Sequence, residues 1–245
     1  MDVRVFATKE ELGRAAAGSG ADAIREALTM RDHARIVMAS AASQFEVVEA
    51  LTREDLDWGR VTLFHLDEYL GLPASHPASF SKFLRDRFIA RLPGALGAFH
   101  AIDGENDGMA ECARVGELLA ERAPDVAFIG IGENGHIAFN DPPADFDAED
   151  PYLVVELDDA CRRQQVGEGW FPDLEAVPTH AISMSVRQIL KAGRIVCVVP
   201  DDRKAAAVRD AVDGAVTPDV PASILQEHPD CGLYLDGPAA SQLQR

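Results

Sequence analysis

Short runs of Val, Ile, Leu and Phe alternate along the chain with longer stretches in which apolar residues return every three or four positions. The short runs predict strands at Ala34–Ala39, Arg60–Leu66, Asp125–Ile131, Ala181–Val186, Arg194–Val199 and Gly232–Leu235. The longer stretches predict helices at Glu10–Met30, Ser43–Thr52, Ser79–Leu92, Asp107–Ala123 and Asp202–Val212. Alternation of this kind is the pattern of parallel strands joined by helical crossovers, so the fold class is α/β with a mainly parallel sheet. In Asp107–Ala123 the positions Met109, Cys112, Ala113, Gly116, Leu119 and Ala120 recur at helical spacing and are expected to face the core. No Ser/Gly linker, repeat or low-complexity tract interrupts residues 1–245, which read as one domain. The acidic segment Pro142–Pro151, with its three prolines, is the expected mobile loop.

Composition narrows the function classes. With 245 residues and 47% hydrophobic content the chain can bury a sizeable core, which excludes global disorder. No run of 18 apolar residues occurs, and the N-terminus meets charged residues too early for a signal peptide, so a soluble, cytoplasmic protein is expected. Forty-one acidic against 23 basic residues give a net charge of −18, which repels polyanions and argues against nucleic acid and membrane partners. A small anionic ligand would then need a local cluster of cations or backbone N–H groups. Cys112, Cys161, Cys197 and Cys231 are widely spaced without a CxxC pair, and are expected to be reduced thiols.

Two segments carry most of the chemistry. In residues 126–143, VAFIGIGENGHIAFNDPP, the glycines Gly130, Gly132 and Gly135 satisfy GxGxxG after a strand, and Glu156 stands about where a ribose-binding acid is sought. A dinucleotide site also needs a full helix after the third glycine, and Pro142 and Pro143 cut the chain too soon for one. What remains is a glycine-rich strand end presenting Asn134, His136 and Asp141. There His136 can shuttle protons and Asp141 can fix its tautomer. A structural turn holding a satisfied histidine reads the same way in sequence. In residues 61–80, VTLFHLDEYLGLPASHPASF, a buried strand ends on Asp67–Glu68, and strand alternation sends the two carboxylates to opposite faces. One can face the crevice at the sheet end as a base with a raised pKa, while the other serves as a loop anchor. His65, Asp67 and His136 could be drawn as metal ligands, but no HExxH or acidic companion supports them, and no metal is expected. After Arg194–Val199, Asp201 or Asp202 can cap a helix whose first turn holds Lys204. That geometry suits a phosphate and equally a solvated lysine. Ala39–Gln44 is a small-residue turn like a phosphate cradle without its glycines.

LDEYLGLP with HPASF, then GIGENGHIAFNDP, then VDGAVTPDVPASILQEHP resemble the glucosamine-6-phosphate deaminase/isomerase family, in the same order, from about residue 34 to 236. The resemblance implies a single-domain, open, Rossmann-like sheet with helices on both faces. Asp67 would move a proton between C2 and C1 of an amino sugar phosphate, and His136, supported by Asp141, would open the pyranose ring. Asn134 would assist ring opening and Lys204 would bind the phosphate. The implied reaction converts glucosamine 6-phosphate into fructose 6-phosphate and ammonia, without metal or organic cofactor. The candidate catalytic set is therefore Asp67, Asn134, His136 and Asp141, and the candidate binding set is Ser40, Ala41, Ser43, Glu68, Gly135, Arg163 and Lys204. Whether copies associate as a homo-oligomer is left open.

Three departures from the family pattern bear on substrate and rate. Alanines replace glycines in Ala39–Ser43, and their Cβ atoms restrict close approach of the backbone to a phosphate. Glu168 stands where many members carry a phosphate-binding arginine, which raises the question whether Arg162 or Arg163 substitutes. Asp141 replaces a glutamate common in the family, withdrawing the carboxylate by one methylene, and PPADFDAEDPYLVVELDD lacks the basic residues of allosterically activated members. No such activation is expected. Two other readings stay in view: lactone hydrolysis of the related 6-phosphogluconolactonases, with His136 activating water, and a non-catalytic sugar phosphate sensor.

Overall fold

The computed structural model describes residues 1–244. In chain order its elements are β1 (Asp2–Phe6), α1 (Lys9–Arg31), β2 (Ala34–Met38), α2 (Phe45–Leu51), β3 (Val61–His65), β4 (Asp67–Tyr69), α3 (Phe80–Phe83), β5 (Ala98–His100) and α4 (Gly108–Ala120). They continue as β6 (Val126–Ile129), β7 (Tyr152–Glu156), α5 (Asp159–Gly167), β8 (His180–Met184), α6 (Val186–Ile189), β9 (Arg194–Val199), α7 (Ala205–Asp213) and β10 (Cys231–Asp236). Seven strands form one parallel sheet in the order β1-β10-β9-β6-β2-β3-β5.

The sheet has helices on both faces because its inner strands are apolar on both faces. Along β2, β6 and β9 successive side chains go to opposite layers. Ile36, Met38, Val126, Phe128, Val196 and Val198 pack with Leu12, Ile24 and Val48 of α1 and α2. Val37, Ala127, Ile129, Ile195 and Cys197 pack with Val115, Leu119, Val208 and Ala211 of α4 and α7. Local signals set the helix starts: the side chains of Thr8, Ser79, Asp107, Asp158 and Ser185 each accept a backbone N–H one turn on. All four cysteines are free and buried. No helix among the described residues is long and apolar enough to cross a membrane.

The structure departs from the sequence reading in four places. The predicted strand at Ala181–Val186 forms as β8 but leaves the main sheet, pairing antiparallel with β4 and β7 in a second, three-stranded sheet. Met109, Ala113 and Ala120 are exposed, and the buried stripe of α4 runs through Cys112, Val115, Gly116 and Leu119. The helix expected over Ser79–Leu92 is only α3, followed by a wide turn at 84–88 and a tight one at 89–91. Strands β1, β4, β5 and β7 and helices α5 and α6 are not expected from the sequence; α6 has only four residues. β4 and β5 have only three residues each, β1 is an edge strand with charges at alternate positions, and α5 is mostly polar.

Glu68 ties the second sheet to the start of α3. Its carboxylate accepts hydrogen bonds from the backbone N–H groups of Tyr69 (3.0 Å), Phe80 (3.1 Å) and Ser81 (2.8 Å) and from Ser79 Oγ (2.8 Å). Burial raises the pKa of Glu68, and these four donors oppose that rise. Glu68→Gln places an NH2 group among donors, and it should cost about 2–4 kcal/mol, lowering the melting midpoint by about 5–10 °C. A melting curve superimposable on that of the parent would show that the carboxylate holds nothing together.

Candidate active site

The chain leaves β2 toward β3 on one side, then returns to place β6 on the other side of β2. The carboxyl ends of β2 and β6 therefore frame a topological switch point, where open α/β sheets form their binding crevices. The loops after β2, β3, β6 and β9 converge there around a cavity of about 290 Å³, close to the lower end of ligand cavities.

His136 reaches this cavity on the tight loop after β6. The Gly132 N–H donates to His136 O (2.9 Å) and the Gly135 N–H to Gly132 O (3.1 Å), folding the loop back on itself. The imidazole lies directly over Gly132, where an added Cβ would stand 2.3 Å from Nε2, so only glycine leaves room for the ring. Asp141 holds the other side of the imidazole, with Oδ1 2.9 Å from Nδ1. The carboxylate also accepts from Asn134 Nδ2 (3.0 Å) and from the Asp158 N–H (3.3 Å). Burial pushes Asp141 up, but His136 and these donors outweigh it and hold the carboxyl below its usual range. The His136 N–H donates to Asn134 Oδ1 (3.1 Å), closing the network. The shorter aspartate thus still makes full contact with the ring.

Asp67 enters from β4. It is 6% exposed, lines the cavity, and its Oδ1 has no hydrogen-bond partner. Burial, with Glu68 adding to it, raises its pKa well above the ordinary carboxylate range. A carboxylate kept without donors in a small cavity is a strong base awaiting a proton.

The far end of the cavity is suited to an anion. Ser40, Ala41 and Ser43 line it, and the buried Ser40 Oγ is without a partner. Gln44 Nε2 donates to Ile129 O (3.1 Å), fixing this turn against β6. Lys204 comes from the short turn before α7 and is buried at the cavity wall. Burial lowers its pKa, and Glu168 and Glu133 push it back up.

Asp67, His136, Ser40, Ala41, Ser43 and Lys204 therefore meet in one cavity, with Asn134 and Asp141 behind the histidine. Three binding candidates stand elsewhere. Glu68 is turned into the fold onto its four donors, and Gly135 sits at the loop's turn with φ +86° against Val220. The Arg163 side chain is 63% exposed and pairs with Asp159. Arg162 donates to the carbonyls of Leu174 and Val177, so neither arginine reaches the anion end. Glu168 does line it. Lys9, Glu46, Gln164 and Gln165 also line the cavity and are not singled out by the sequence: Lys9 and Glu46 stand at the starts of α1 and α2, whose facing the sequence does not specify, and the two glutamines lie on α5, which it does not predict.

His65 stays out of the site. Burial, reinforced by Arg85, pushes its pKa down to about 3, leaving a neutral core histidine. His136, Asp141 and Cys161 each bring one atom able to bind a metal within 4.8 Å of the others. The buried Cys161 thiol is pushed far up and the other two are bonded to each other, which describes a proton-transfer pair above a core thiol.

A parallel sheet with its switch-point cavity, carrying a free buried carboxylate and a carboxylate-backed histidine, defines a site equipped for proton transfer on a small ligand. Residues 7–232 match the family of glucosamine-6-phosphate isomerases/6-phosphogluconolactonases, and the chain belongs to it. It is 37% identical over 220 residues to a glucosamine-6-phosphate deaminase of Exiguobacterium, covering 89% of this chain and 84% of that protein. It is 34% identical over the full length of both chains to one from Lactobacillus delbrueckii subsp. bulgaricus. A solved monomeric glucosamine-6-phosphate deaminase superposes with a TM-score of 0.89 at 32% identity, covering 99% of this chain and 100% of that one. A Trypanosoma brucei 6-phosphogluconolactonase, at 18% identity and a TM-score of 0.80 over 99% of this chain and 98% of that one, shares the fold.

Gly132→Ala tests the histidine seat. Displacing the ring by even 1 Å should cut turnover by at least about 100-fold with the circular dichroism spectrum unchanged. Parent-level turnover would mean that the imidazole position does not matter.

Proposed function

We propose that this chain deaminates and isomerises an amino sugar phosphate, converting glucosamine 6-phosphate and water into fructose 6-phosphate and ammonia. The observation that carries the reading is Asp67, a buried carboxylate with an oxygen left free in the same cavity as the His136–Asp141 pair. Hydrolysis of a lactone needs a base for water. It gives no reason to bury a second carboxylate without donors.

In this reading the imidazole of His136 takes the proton of the anomeric hydroxyl and delivers one to the ring oxygen, breaking the C1–O5 bond and leaving an open-chain aldehyde. Asp141 fixes the tautomer and stabilises the ring when it is charged. The Asp67 carboxylate then removes the C2 proton. The C–H electrons form the C1=C2 bond of an enolamine as the carbonyl oxygen takes a proton, and Asp67 returns its proton to C1. The resulting C2 imine adds water and expels ammonia, leaving the ketone. Ser40, Ser43, the backbone N–H groups of the 39–44 turn and Lys204 would hold the phosphate. Base catalysis needs Asp67 ionised, so its raised pKa places the acid limb of the rate profile above the ordinary aspartate range.

The test is coupled detection of ammonia and ketose 6-phosphate from glucosamine 6-phosphate, with galactosamine 6-phosphate alongside. Turnover of the parent should fall by about 100- to 10,000-fold in Asp67→Asn. The melting midpoint should stay level or rise, since a buried unpaired charge has been removed. Ammonia release unchanged in Asp67→Asn would falsify the reading. Acid release from 6-phosphogluconolactone, without ammonia from either amino sugar, would replace it with lactone hydrolysis.

A further inference from the structure

The anion end of the cavity contains an acid as well as a cation. Lys204 Nζ lies 3.9 Å from Glu133 Oε1 and 3.9 Å from Glu168 Oε1. The Glu133 side chain is 37% exposed, and that of Glu168 only 9%. Glu168 is held in place from both sides, with Oε1 accepting from Gln164 Nε2 (2.8 Å) and Oε2 from Trp170 Nε1 (3.3 Å). The remaining cations of the cavity wall are weaker attractions for a phosphate. Arg203 is 48% exposed and engaged with Asp201, and Lys9 is exposed. A dianionic phosphate that reaches Lys204 therefore arrives within a few ångströms of a fixed, poorly solvated carboxylate, where like charges repel far more than they do in water.

The turn that carries Glu168 is itself fixed. At the end of α5 the N–H groups of Glu168, Gly169 and Trp170 donate to the carbonyls of Gln164 (2.8 Å), Val166 (3.0 Å) and Gln165 (3.1 Å). Gly169 takes the left-handed φ of +82° that this turn requires. Moving the carboxylate therefore calls for rotation of the Glu168 side chain alone, at the cost of its hydrogen bonds to Gln164 and Trp170.

We propose that Glu168 is an internal counterion to Lys204 that competes with the substrate's phosphate, its side chain turning away when the phosphate binds. The inference rests on the assignment of Lys204 and the 39–44 turn to the phosphate. Glu168 acts through Lys204 and is a positioning residue: it sets the affinity of the site for a dianion and leaves the proton transfers to Asp67 and His136.

The test measures Kd for inorganic phosphate at neutral pH by calorimetry on the full chain, in the parent, Glu168→Gln, Lys204→Met and the double variant. KM and kcat for glucosamine 6-phosphate are measured in the parent and Glu168→Gln. Removing the competing charge should tighten phosphate binding about tenfold and lower KM similarly, with kcat altered less than about threefold. On the Lys204→Met background the Glu168 substitution should have no effect. Phosphate binding that depends on Lys204 but is unchanged or weakened in Glu168→Gln overturns the counterion role alone. Phosphate binding indifferent to Lys204→Met overturns the counterion role together with the phosphate assignment beneath it.

Discussion

Two adjacent carboxylates at the start of β4 are buried together, and the site depends on their being treated differently. Strand alternation points Asp67 and Glu68 to opposite sides. Glu68 receives four donors and anchors the loop that leads to α3. Asp67 keeps an oxygen without a donor and faces the cavity. Leaving a buried charge unsatisfied is costly, and it persists only where the surroundings hold it rigidly. Here that rigidity comes from β4, whose pairing with β8 fixes Asp67 opposite Ser183. The small antiparallel sheet is therefore the mount for Asp67 as well as a covering layer.

The histidine is mounted by the same principle with different parts. Gly132 leaves room for the ring, Asp141 orients it, and Asn134 bonds to both the carboxylate and the histidine backbone. The loop is anchored in turn by Asn140, whose side chain donates to the carbonyls of Ile137 and Met184 (2.8 and 2.9 Å), and by the Phe139 N–H, which donates to Ser183 Oγ (3.0 Å). Asp67 and the His136 loop thus hang from one strand, β8, through Ser183 and its neighbours. In a chain of net charge −18, attraction for an anionic ligand has to be local, and under the proposed function it falls to the turn of small residues and the one buried lysine that line the cavity.

Much of this was legible in the sequence because it is written in short-range patterns. Apolar runs with helical segments between them specify a mainly parallel sheet, whereas the strand order that places the loops after β2 and β6 together is known only from the structure. GIGENGHIAFN gave the histidine loop, since a glycine under an imidazole and an acid five residues on are local features. The opposite fates of Asp67 and Glu68 followed from period-two alternation, although which of the two faced the cavity did not. What stayed hidden was long-range. β8 looked like any buried strand, and nothing local indicates that it pairs with β4 and β7 outside the main sheet. α5 has a polar sequence, so its cavity-facing glutamines were missed, and the outward direction of Arg163 depends on helix phase. The one-methylene withdrawal at Asp141 is absorbed by the tight loop, which brings its carboxylate to 2.9 Å from the ring.

The central claim is that Asp67 is a desolvated, donor-free carboxylate, and its own titration tests this most directly. Carboxyl ¹³C chemical shifts of the full chain, followed against pH and assigned by difference from Asp67→Asn, should give a midpoint well above 3.8, the ordinary aspartate value. A midpoint at or below that value would mean that Asp67 is solvated or paired, and that the base of this site has been misplaced.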